Sequence, residues 1–264
     1  MTQSIDAALS AFDIVLTDSE KLALAVLARV KRLRKLAAAG DLGGIATQLA
    51  PMPDAIERLA GAARAAGDSF TYDAESALSD GSYLAELKAE AIRQDVVLVE
   101  RDGRLSAFPL LLKLEAKAAA VRVGRKLHKA IRPAVLIKTL RAAQASSRFN
   151  AGAFLEQVAR AYAVLAPQIQ SGWSPAAGTD GPTVPLLRIH ELLTLLPTAA
   201  AEYPREAFAC DLLRLNRAPD TQTAHGLGFD LPASTGSKGR ERLTVYDEAG
   251  DEHIFVGIRM LAGR

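Results

Sequence analysis

Between residues 96 and 130 the apolar residues lose the spacing of a helix and take up that of strands, and this change of period most constrains the fold. Val96-Val97-Leu98-Val99 is an apolar run rich in β-branched side chains, which pack well on a pleated surface. Asp102-Gly103 follows with the residue types of a tight hairpin turn. Leu105–Phe108, Leu110–Leu114 and Ala119–Val123 continue the pattern, with Pro109 and Gly124 as breaks. A meander of three to five strands is predicted over 96–130. Leu110–Lys117 is a short apolar run that could also open a helix.

Segments on both sides have helical spacing. Leu22, Val26, Val30, Leu33 and Ala37 predict a helix over 18–39, with Asp18 or Ser19 as N-cap and Gly40 as its stop. Pro51 and Pro53 divide the next stretch into two short helices, the second from Asp54 to Ala66. A further helix spans Asp80–Asp95, with Leu84, Leu87 and Ile92 inward. Pro133 suits the first position of a helix that runs to about Ser146, and Asn150 caps the one after it. Val184–Leu196 is apolar nearly all round, and Pro204–Arg217 reads as another helix. Leu243–Tyr246 and Ile254–Met260, joined by a turn at Glu248–Asp251, read as a closing β-hairpin. Helices and strands in blocks give an α+β class: N-terminal helices, a central antiparallel meander, a helical segment and a C-terminal β-hairpin. The Gly-, Pro- and Ser-rich stretch 171–185 reads as a linker between 1–170 and 186–264, though one domain is also compatible with the length.

Composition narrows the function classes. A single cysteine, Cys210, leaves no intramolecular disulfide. No apolar run reaches the length of a membrane span, and the first residues lack a basic start followed by an apolar stretch, so a cytoplasmic protein with no membrane role is expected. The four histidines are scattered, with no CxxC or HExxH, so neither a metal nor another cofactor is expected. His190 lies in an apolar helix and reads as a packed core histidine. Cys210, beside Phe208 and Leu212, reads as a small core residue. The acidic run Asp247–Glu252 lacks the alternating ligands of a calcium loop. Ser234–Gly239 resembles a phosphate loop but misses its consensus, and Glu86-Leu87-Lys88 is too short a match to a nuclease core to carry weight.

The net charge of +2 conceals a polar distribution. From Asp54 to Asp102 there are eleven acidic residues against five basic ones, whereas Lys113 to Arg148 holds ten Lys or Arg and one acid, Glu115. Lysine and arginine are almost never buried unpaired, so these cations must meet water or carboxylates. Arg122, Arg125, Lys126, Lys129 and Arg132 are expected near one strand turn. Lys138, Arg141 and Arg148 are expected on one face of the following helix. Such a surface suits the DNA or RNA phosphate backbone. No Phe, Tyr or Trp lies within 109–148 to stack on bases. The expected function is therefore a non-catalytic nucleic-acid-associated or adaptor subunit of a larger bacterial-type assembly. Three alternatives stand beside it. The basic stretch could pair with the acidic one. The chain could be a protein–protein scaffold or homo-oligomer using its N-terminal helices, or a scaffold that sets its basic face against an acidic partner. It could be a hydrolase or nuclease with a dispersed site near His225, Asp230 and Lys238.

Overall fold

The computed structural model describes residues 3–101, 103–174, 178–196, 198, 202–218, 220–232 and 242–262. The chain forms two compact units, residues 1–86 and 87–264, and its class is α+β.

The first unit is helical. Helix α1 (Ile5–Ala39) is 35 residues long and starts well before the expected Asp18. Its cap is Ser4, whose Oγ accepts from the Ala7 N–H at 3.2 Å. Asp18 and Ser19 have the chemistry of a cap but use it inside the helix. Asp18 pairs with Lys21 at 3.0 Å, and Ser19 Oγ donates to the Val15 carbonyl, also at 3.0 Å. Gly40 ends α1 as expected, at a φ of 72° in the left-handed region. Helices α2 (Leu42–Leu49) and α3 (Met52–Ser69) then pack against α1, separated where Pro51 interrupts the backbone bonds. The short α4 (Ala74–Ser79) and then α5 (Ser82–Arg93) follow, the division between units falling inside α5. Ile92 points to solvent, and Leu87, Glu90 and Ala91 are the buried residues of that turn.

The second unit opens with the meander, five antiparallel strands in sequence order: β1 (Val99–Arg101), β2 (Arg104–Ala107), β3 (Leu110–Glu115), β4 (Ala120–Val123) and β5 (Lys126–His128). Gly103 closes the first hairpin at a φ of 73°, the conformation this turn requires. Pro109 sits in the turn between β2 and β3, outside the ladder. The register puts Leu105, Leu112 and Val123 on one face, all buried. Val99, Arg101, Arg104, Ser106, Leu111, Lys113 and Arg122 fall on the other. Helix α6 (Pro133–Ser146) contacts β3 and buries Leu136, Ile137 and Leu140.

Helix α7 (Ala151–Ile169) is capped by Asn150 and begins the larger core, to which it gives Phe154, Leu155, Val158, Tyr162 and Leu165. Residues 171–174 and 178–185 belong to this unit. Trp173 and Val184 join the core, the Tyr162 hydroxyl donates to the Pro182 carbonyl, and the Gly181 N–H donates to the Met260 carbonyl at 2.8 Å. Strand β6 (Val184–Pro185) leads into α8 (Leu186–Leu193), which is shorter and less buried than its composition predicts. Only Leu186, Ile189 and His190 are buried, and Leu195 and Leu196 beyond its end are exposed.

Helix α9 (Arg205–Asn216) adds Phe208, Leu212 and Leu213 to the core. Strands β7 (Gly228–Asp230), β8 (Leu243–Tyr246), β9 (Glu252–Phe255) and β10 (Gly257–Leu261) complete the unit. The C-terminal hairpin is β8 with β9, so it stops sooner than expected. After Val256 the chain leaves it, and β10 pairs with β6 and β7 instead. Gly257 permits the change of partner, because a Cβ there would lie 2.6 Å from Thr183 Cγ2. Ile258 and Met260 are then buried in the core. Among the described residues, no helix is long and apolar enough to cross a membrane.

Candidate functional site

Strand β4 places Arg122 opposite Lys113 on β3, and both reach back to Glu115 at 3.2 Å. Hydrogen bonds from Arg122 and then Lys113 hold the Glu115 carboxyl below its ordinary range. The one acid of the basic stretch is thereby used twice, and Arg122 is half-buried and paired.

The remaining cations lie further out. Arg125 is in the turn before β5, exposed, with Glu202 4.0 Å away and also exposed. Lys126 starts β5, an edge strand of the meander, and Lys129 directly follows it. Arg132 occupies the N-cap of α6 and is exposed. Lys138 and Arg141 stand three residues apart on the helix, outside the buried stripe. Arg148 does not share their face, because α6 ends at Ser146 and Arg148 belongs to the connection to α7. Lys126, Lys129, Lys138, Arg141 and Arg148 are exposed, and among the described residues none of them makes an ion pair.

Several residues with potential for other chemistry have structural roles instead. His190 is buried with Nε2 2.9 Å from the Tyr203 carbonyl oxygen, its ring beside Phe208. Burial pushes the Cys210 thiol up to about 12, far from the thiolate that nucleophilic attack needs. Asp247 accepts from the Ala249 and Asp251 N–H groups at 2.9 Å and from Arg217 at 2.9 Å, with His253 Nε2 3.0 Å away. The acidic turn is thus closed on itself, and no group of three or more potential metal ligands occurs among the described residues. His225 is exposed in a turn, Asp230 pairs with Arg259 at 2.8 Å, and Lys238 with the Ser234–Gly239 segment lies outside the described residues.

A second basic feature escapes sequence reading. The open face of the meander, the outer face of the β8–β9 hairpin and the start of α9 enclose a cleft of about 430 Å³. Arg101, Arg104, Arg205 and Arg242 line it, with Glu206 and Glu252 as its acids. Arg104 pairs with Glu206, and Arg101 bonds both Glu252 and the Tyr246 hydroxyl. Arg205 and Arg242 make no ion pair among the described residues. These arginines come from separate stretches of chain, and no local pattern marks them as a set. No protein-family model, no curated protein and no solved structure matches this chain.

Proposed function

We propose that the protein is a non-catalytic, nucleic-acid-associated adaptor of a larger assembly, touching phosphate backbone through the cations between β4 and α7. One observation carries the reading: Lys126, Lys129, Lys138, Arg141 and Arg148 stand in water without carboxylate partners among the described residues. A polyanion that meets such side chains gains by releasing its condensed counterions. The absence of Phe, Tyr and Trp from 109–148 supports contact with phosphates and gives no support to reading of bases. Lysine on an edge strand also discourages strand addition by another chain, so the reading needs a direct binding test. Fluorescence anisotropy at low salt should detect binding to duplex DNA or structured RNA. Arg125→Glu, Lys126→Glu and Lys129→Glu together should weaken it by tenfold or more. Absent binding at low salt, or equal binding by the triple variant, contradicts the proposal.

A second reading, a protein scaffold using the N-terminal helices, is favoured by a different observation. Ile14, Leu24 and Leu27 on α1, Leu42 on α2 and Ile56 on α3 are all exposed, and apolar surface of this kind marks protein–protein contacts where it is contiguous. Sedimentation over a wide concentration range tests it. Self-association that Leu24→Glu with Leu27→Glu abolishes supports the scaffold, and a strict monomer with no co-purifying partner removes it.

A further inference from the structure

We propose that the arginine-lined cleft of the second unit is a binding site for a small organic phosphate monoester, separate from the exposed cations between β4 and α7. The charge balance of the lining selects the ligand. Among the described residues its lining holds four arginines and two glutamates, an excess of two positive charges. A phosphate monoester above its second ionisation carries close to two negative charges and restores neutrality. Glu206 and Glu252 already hold Arg104 and Arg101 in place. Arg205 and Arg242 have no such commitment among the described residues and supply the capturing charge.

Geometry favours phosphate over carboxylate. The four arginines come from the β1–β2 hairpin, the first turn of α9 and the residue before β8. A carboxylate presents its oxygens in one plane, which a single arginine fork can satisfy. A tetrahedral phosphate presents oxygens in several directions and can engage forks from several sides. The rest of the lining suits an organic body. Val99, Leu111 and Ile254 are apolar, and the Tyr246 ring lies 5.7 Å from the Arg101 guanidinium carbon. At about 430 Å³ the cleft is in the size range of small-molecule sites, too small to admit a nucleic-acid duplex.

Isothermal titration calorimetry on the full chain tests this with adenosine monophosphate, adenosine and succinate as probes. Adenosine monophosphate should bind, adenosine should not, and succinate should bind more weakly than the nucleotide. Arg205→Gln with Arg242→Gln should weaken nucleotide binding at least tenfold, and each single change should weaken it less. Both side chains are exposed, so the variants should melt with the wild type. Affinity should fall as pH drops below about 6, where the monoester dianion takes up a proton and becomes a monoanion. The Arg125, Lys126 and Lys129 charge reversals should leave nucleotide affinity unchanged, which separates this site from the outer surface. The proposal is overturned if the nucleotide does not bind, if the double variant binds it equally well, if adenosine binds as tightly, or if succinate binds more tightly.

Discussion

Single side chains show how closely the second unit is packed. A Cβ at Gly181 would lie within 3.0 Å of Trp173 and closer still to the Tyr162 hydroxyl. Gly181→Ala should therefore cost about 1–3 kcal/mol, the usual range for overpacking, measured by urea unfolding. An unchanged midpoint would mean that residues 171–185 yield easily. Asp247 makes a prediction in pH. The hydrogen bond with His253, aided by the backbone donors of the turn, lowers its carboxyl from 3.8 to about 2. A lowered carboxyl pKa stabilises the fold when ionised. That contribution is complete above pH 3.8 and is lost as pH falls through about 2. Asp247→Asn should flatten the loss of stability across this acid window, followed by thermal melts at stepped pH. An identical acid profile in the variant would show that the turn does not depend on this charge.

At the scale of elements, what was legible in the sequence depended on how local its cause was. The meander could be read because β-branched runs, Gly103 and Pro109 act within a few residues. The five strands fall inside the predicted 96–130. Pro133 and Asn150 likewise open α6 and α7 where expected. The start of α1 was misplaced because aspartate and serine look alike at a cap and inside a helix. Only the backbone shows that Ser19 donates backward to Val15. The partner of β10 was out of reach for a different reason: its choice depends on residues 183–184, more than seventy positions earlier. At Gly40 the sequence rule and the geometry agree. Gly40→Ala should destabilise the first unit by about 1 kcal/mol, because a Cβ is strained at positive φ. Helicity melts would show it, and no change would mean that α1 ends elsewhere in solution.

For the whole molecule, the candidate surface was half legible. Ten cations against one acid had to reach solvent or carboxylates, and most reach solvent. Sequence could not tell that Glu115 would take Arg122, or that Arg148 would fall past the end of α6. The arginine cleft was invisible, since tertiary pairing alone collects Arg101, Arg104, Arg205 and Arg242. The most direct test of the central claim is the salt dependence of nucleic-acid affinity, measured side by side for the wild type and the Arg125, Lys126 and Lys129 reversals. Each phosphate contact contributes about 0.9 to the slope of log affinity against log salt on duplex DNA. The wild type should show a steep negative slope, and the triple variant one shallower by about 3. Equal slopes, or a wild-type slope near zero, would contradict it.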